Sequence, residues 1–334
     1  MAHLATKRFN YWSQFGIFTA FCGAGLIVGG IVSLLPLIGK IDFSNMGSGG
    51  TKWMDDFLKP ENAGRLRWMQ FISTFFLFFL PPAFYALLCH KRPFLHLGFR
   101  SQMNFPQVLI VVFVMLAAFP VVSALQELTE MLPWSKATLL KFKEAEVAYN
   151  KQVAVIARMD NFGDYLLSVL VIALLPAIFE ETLFRGGLQN LLSRWTKMPI
   201  LAIILTSFLF SAIHLSYLGF MSRFALGFVL GWFYYRTGNI WLSIIGHFFN
   251  NAVAVTVLYV SSKPGQAVDP TKIEDKFPLI WGLIGLAAIY GLFILFEKAS
   301  ARFIDRPGEE VKMPGVQYTS NPFENDPLVA DNNP

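Results

Sequence analysis

The chain has 334 residues, of which 54% are hydrophobic, 16% aromatic and only 15% charged, against roughly 25% charged in an ordinary soluble domain. With a mean hydropathy of +0.49, this composition excludes a soluble globular enzyme and reads as an integral membrane protein. The formal net charge of +5 does not point to nucleic acid, because Lys and Arg gather at the ends of apolar runs, where they set membrane topology.

A membrane-spanning helix takes about 20 largely apolar residues, and eight runs qualify: 15–38, 68–89, 107–125, 165–187, 199–215, 220–235, 240–260 and 278–296. The first follows Lys7 and Arg8 as a signal peptide would, but it is too long for an apolar signal region and lacks a small-residue cleavage site, so it reads as a retained anchor. The fifth and sixth runs are short, and "SYLGFMSR" between them fits a tight turn or a broken helix. The connection 126–164 contains "KATLLKFKEAEVAYNKQVAVIARM", with apolar residues near helical spacing and Lys and Glu between them, which predicts an interfacial or extramembrane helix. Residues 308–334 have the Pro, Asn and Asp content of a disordered tail. The expected fold is all-α: a polytopic membrane helical bundle of about eight transmembrane helices, forming one domain over 1–307.

Cys22 and Cys89 lie in or beside apolar runs and read as packing residues. The basic residues of the short loops favour cytoplasmic termini, although Arg65 and Arg67 argue the other way.

The fourth run carries "LLPAIFEETLFRGGL". An ionisable side chain at the centre of a span costs on the order of 2.5–3.5 kcal/mol on insertion scales, so Glu180, Glu181 and Arg185 need a reason to be there. At about 100° per residue, Glu181 and Arg185 share a helix face and can neutralise each other, while Glu180 is rotated away and left free. Two further spans carry imidazoles: "FLFSAIHLS" places His214 four residues after Phe210, and "IWLSIIGHFFNNA" places Asn251 four residues after His247. His3, His90 and His96 fall at the N-terminus or in a basic loop.

Each feature has a packing explanation on its own. A Glu–Arg pair can be a structural clamp, a histidine can be a bonded core residue, Asn250 or Asn251 can bridge helices, and Phe210 is one of 34 phenylalanines. Together, two acids, two histidines and an amide on three spans have a joint use in hydrolysis, which needs an activated water, oxyanion stabilisation and a proton donor. A carboxylate and imidazoles can activate water directly or hold zinc, since two His and one Glu form a catalytic zinc set. The HExxH signature of soluble metalloproteases is absent.

These three segments resemble the CAAX protease and bacteriocin-processing (CPBP, or Abi) family of intramembrane peptidases. The family's EExxxR, FxxxH and HxxxN motifs are met by Glu180, Glu181 and Arg185, by Phe210 and His214, and by His247 and Asn251. The resemblance covers about 165–260, the expected catalytic core. It implies proteolysis of a membrane-associated peptide or protein substrate in the lipid bilayer, with Glu180 and His214 activating water, and His247 and Asn251 stabilising the oxyanion or supporting a metal. Arg185 would orient Glu181. If a metal is used, the resemblance implies Zn2+ on Glu180, His214 and His247; a metal-independent glutamate mechanism is the alternative. The family's distribution points to a bacterial inner membrane. Two other readings stand beside the peptidase: a non-catalytic immunity or scaffold protein that keeps the motif for packing, and a proton-coupled transporter, which the lack of an inverted repeat disfavours.

A last expectation concerns depth. At 1.5 Å per residue, Glu180, His214 and His247 come to one level only if the hairpin "LLSRWTK" overhangs its neighbours by about 10 Å.

Overall fold

A computed structural model describes residues 9–38, 58–261 and 277–301. Lys7, Arg8, His3 and the tail 308–334 lie outside the described residues.

Besides the short helix Pro93–His96 and two 3-10 turns, nine longer helices and no strand occur among the described residues. They are α1 (Tyr11–Ser33), α2 (Ala63–Cys89), α3 (Phe105–Met131), α4 (Lys136–Ile156), α5 (Phe162–Thr196), α6 (Pro199–Ala212), α7 (Phe220–Thr237), α8 (Ile240–Ser261) and α9 (Leu279–Ser300). All eight apolar runs are helical, and the bundle is polytopic. Six of the helices, α1, α2, α3, α5, α8 and α9, are long and apolar enough to cross a membrane. The fifth and sixth runs fall short for different reasons: α6 has 14 residues, and α7 carries Arg223 and Arg236 near its two ends. Between them the chain makes a tight turn, with Leu215 at φ 52°, rather than a broken helix.

The connection 126–164 forms α4, as its periodicity predicts. Among its residues none is buried. Its C-terminal end is held by Arg67 of α2, whose guanidinium donates to the carbonyls of Ile156 (2.9 Å) and Arg158 and stands 3.8 Å from Asp164. Cationic side chains suit helix C-termini, where carbonyls lack partners. Arg67 is therefore consumed by an internal contact.

Helix α5 continues well past the run that ended at residue 187. Gln189, Asn190 and Arg194 break the apolar pattern, yet all three are buried because neighbouring helices supply their partners. Asn190 Nδ2 donates to the His96 carbonyl (2.7 Å) and to Tyr234 Oη (3.0 Å). Beyond that level the helix runs six residues further to Thr196, about 9 Å at helical rise. At 35 residues the whole helix is about 52 Å long, more than the roughly 30 Å hydrocarbon core of a bilayer.

Two π-helical segments, Phe75–Phe79 and Val169–Leu174, end just before Pro81–Pro82 and Pro176. Proline cannot donate and clashes with the carbonyl four residues back; a widened turn relieves that clash. A third π segment, Thr182–Gln189, contains Arg185.

Two large apolar clusters form the core. One joins α1, α2 and α5 through Phe18, Tyr85, Phe179 and Phe184; the other joins α3, α7 and α9 through Val114, Phe233 and Phe296. Glu180 and Glu181 of α5 meet His247 of α8 and His214, which lies not within a span helix as expected but in the turn just past the end of α6.

Candidate active site

Glu180 and Glu181 are consecutive on α5, so they leave the helix about 100° apart. Glu181 is fully enclosed and Glu180 nearly so. Glu181 Oε1 accepts from Arg185 Nη1 at 2.9 Å, one turn along the same helix, which is the pairing that the spacing predicts. The same oxygen stands 2.9 Å from His247 Nδ1 on α8. That second contact joins residues 66 positions apart, and no local pattern announces it.

Arg185 also donates from Nη2 to the Gly227 carbonyl (2.9 Å), and one turn on, Gln189 Nε2 donates to the Gly231 carbonyl (2.9 Å). The two rungs clamp α5 to α7. The glycines are needed there: a Cβ on Gly227 would lie 3.2 Å from Ser207 Cβ and 3.3 Å from Phe210 Cδ1, and one on Gly231 would lie 2.8 Å from Gln189 Oε1. The "FALGFVLG" spacing thus serves packing inside the chain.

Both imidazoles are oriented through Nδ1. His214 Nδ1 lies 2.7 Å from the Phe210 carbonyl, which can only accept, so Nδ1 carries the hydrogen. His247 Nδ1 likewise donates to the Glu181 carboxylate. In a neutral ring each histidine therefore keeps a lone pair on Nε2, and both Nε2 atoms face Glu180: each is 4.0 Å from Glu180 Oε2. That oxygen is buried and has no hydrogen-bond partner in the protein, a condition that calls for a bound molecule.

Phe210 has a larger part than its sequence context suggests. Its ring packs against His214 (5.1 Å between centroids) and His247 (5.7 Å, edge-on). The Arg185 guanidinium lies over the same ring at 4.9 Å, within cation–π range. Phe210 thus spaces the two imidazoles and covers the arginine that neutralises Glu181. Asn251 stands one turn beyond His247, and its Oδ1 accepts from Asn250 Nδ2 at 3.3 Å, leaving its own amide hydrogens to donate.

The donor types at Glu180, His214 and His247 suit zinc, and their outer nitrogens are engaged as metal-ligating imidazoles require. The spacing does not fit as it stands. Ligands about 2.0 Å from a tetrahedral zinc are about 3.3 Å apart, short of the 4.0 Å observed, and no group of three His, Cys, Asp or Glu among the described residues is arranged to hold a metal. A water, at about 2.8 Å from each partner, fits the gap.

The EE…R, F…H and H…N residues lie on α5, on α6 with the turn that follows it, and on α8. A family model described as "Type II CAAX prenyl endopeptidase Rce1-like" matches residues 162–253. Over these residues the chain is similar to that family. The matched stretch contains all seven residues described above. The curated relative "Uncharacterized protein YpbD" of Bacillus subtilis (strain 168) is 36% identical over 89 residues, which is 25% of this chain and 42% of that protein. The chain thus spans less than half the length of the curated relative it matches. No solved structure matches. The matched residues start with α5 and end within α8.

Sequence reasoning underrated His90 and His96. They lie in a basic loop, yet both are buried and their rings stack at 3.4 Å. Arg194 Nη2 reaches His96 Nε2 (3.3 Å), Tyr85 Oη (3.1 Å) and Gln14 Oε1 (3.3 Å), joining the end of α5 to α1 and α2.

Proposed function

We propose that this protein is an intramembrane endopeptidase that hydrolyses a peptide bond of a membrane-associated substrate. The observation that carries the reading is Glu180 Oε2, buried without a partner and 4.0 Å from two imidazole nitrogens that present lone pairs. A water held there donates to Glu180 and to His214 and turns its oxygen toward a substrate carbonyl. As the oxygen–carbon bond forms, Glu180 takes a water proton. The tetrahedral oxyanion is stabilised by the Asn251 amide, while His247, held through Nδ1 by Glu181, keeps its ring at the gap. The carbon–nitrogen bond then breaks as Glu180 returns the proton to the leaving amine.

A second reading uses zinc, favoured by the orientation of both Nε2 lone pairs. Glu180, His214 and His247 would hold the ion, which would acidify a bound water; the three side chains would have to close in to do so. The reading also sets the chain in a bacterial inner membrane with both termini cytoplasmic, and nucleic acid has no part in it.

The test is cleavage of a membrane-tethered peptide library by the purified protein. Glu180→Ala and His214→Ala abolish cleavage on this reading; unchanged activity in both variants rejects it, and leaves an immunity or scaffold role.

A further inference from the structure

Among the described residues, no carboxylate forms an ion pair with the cation just past the turn that follows His214. Arg223 lies in the first turn of α7, and its guanidinium packs over Gly219, where a Cβ would collide with Nη1. Ser211 Oγ donates to the Phe220 carbonyl at 2.6 Å, which closes the turn carrying His214 against the start of α7. Among the described residues the guanidinium makes no hydrogen bond or ion pair; Nη1 is shut off from solvent and unsatisfied. The Tyr149 ring of α4 lies 5.5 Å away, which satisfies one face of the guanidinium and none of its in-plane donors. Glu146, the carboxylate that α4 brings to the same turn, is engaged by Ser216 Oγ at 2.9 Å.

Burying a guanidinium donor without an acceptor is unfavourable, and doing so beside an active-site histidine suggests that the acceptor arrives with the substrate. Of the three polar residues around the gap, His214 is the most exposed, at 22% of its side chain against 10% for Glu180 and 8% for His247, so the flank next to Arg223 is the open one. A peptide lying across it in extended form advances about 3.3–3.6 Å per residue, which brings a group a few residues from the scissile bond to the turn. The planar fork of arginine matches a carboxylate in two parallel hydrogen bonds.

We propose that Arg223 is a specificity residue that binds a carboxylate of the peptide substrate within a few residues of the cleaved bond. The carboxylate is either the C-terminal group or an Asp or Glu side chain. The proposal rests on the peptidase reading for its substrate, but its test does not require cleavage.

Protein carrying Glu180→Gln is placed in lipid nanodiscs and titrated with fluorescent, N-palmitoylated peptides of one sequence in three forms: free C-terminal acid, C-terminal amide, and amide with one internal glutamate. One or both carboxylate forms bind at least about tenfold more tightly than the plain amide, as one charged hydrogen bond implies. Preference for the free acid alone identifies C-terminal recognition, and preference for the internal glutamate identifies a side chain. Adding Arg223→Gln removes the preference, and Arg223→Lys restores part of it, which separates lost recognition from lost folding. Equal affinity for all three forms, including no measurable binding of any, overturns the proposal, as does a preference that survives Arg223→Gln. Cleavage of the same peptides by the wild-type chain is scored separately: binding preference without cleavage counts against the peptidase reading and leaves Arg223 as a carboxylate site.

Discussion

His247 Nδ1 stands 2.9 Å from Glu181 Oε1 across the interface of α8 and α5. One carboxylate oxygen therefore serves the arginine on its own helix and the imidazole on its neighbour. The two glutamates divide the work by a single step of helical rotation: Glu181 is bound up in orienting, and Glu180 is left facing the gap.

Their substitution by glutamine should separate these parts. Glu181→Gln keeps an oxygen for both partners but leaves the buried Arg185, 1% exposed, without a counter-charge, a loss of about 3–5 kcal/mol for a broken buried pair. Glu180→Gln removes a buried charge that has no hydrogen-bond partner at Oε2 and whose nearest imidazole nitrogens are 4.0 Å away, so stability should not fall while cleavage falls by about 10²–10⁴-fold. Unfolding in detergent, read beside peptide cleavage, checks both. Equal stability of the two variants would show that the Glu181–Arg185 pair does not hold the site together.

Gly227 and Gly231 give a second contrast. A methyl at Gly227 presses on Ser207 and on Phe210, whose ring lies between the imidazoles; a methyl at Gly231 presses on Gln189 and Ile203. Each should cost about 1–3 kcal/mol by overpacking. Gly227→Ala should lose more activity than Gly231→Ala at equal stability, because only it moves Phe210. The particle mass in light scattering should be unchanged by both, since these glycines pack within the chain.

Much of this site was legible in the sequence, and what was hidden has physical reasons. The Glu181–Arg185 pair follows from spacing because both residues share one helix. The isolation of Glu180 follows from the same rotation. The Glu181–His247 bond was invisible because it depends on how α5 and α8 pack, and Phe210 was hidden among the phenylalanines of an apolar chain. The end of α5 was placed too early because buried polar residues look like a loop until their partners are known. His90 and His96 were assigned to a solvated loop by their basic neighbours, whereas the short helix Pro93–His96 and Gly98, at φ +94°, fold the loop back against Tyr85 and Arg194.

Chelation distinguishes the two forms of the chemistry. With donors spaced for a water, cleavage should survive EDTA and o-phenanthroline, and elemental analysis of purified protein should find zinc well below one ion per chain. Loss of cleavage on chelation, restored by added Zn2+, would assign Glu180, His214 and His247 to a metal instead.

The loop histidines give the protein an acid-sensitive joint. Burial, and then the charges of His90, Arg194 and Arg100, hold His96 neutral well below the ordinary histidine range. In the unfolded chain the same imidazole takes a proton near pH 6.5. As pH falls below that value the unfolded state gains a proton that the folded state refuses, so stability is full above about pH 6.5 and declines below it, by up to about 1.4 kcal/mol per pH unit for one group. Acidification should thus lower the unfolding temperature in detergent. His96→Gln keeps a side chain able to accept from Arg194 but cannot titrate, so it should flatten the decline between pH 7 and 5. An unaltered slope in that variant would place the acid sensitivity elsewhere in the bundle.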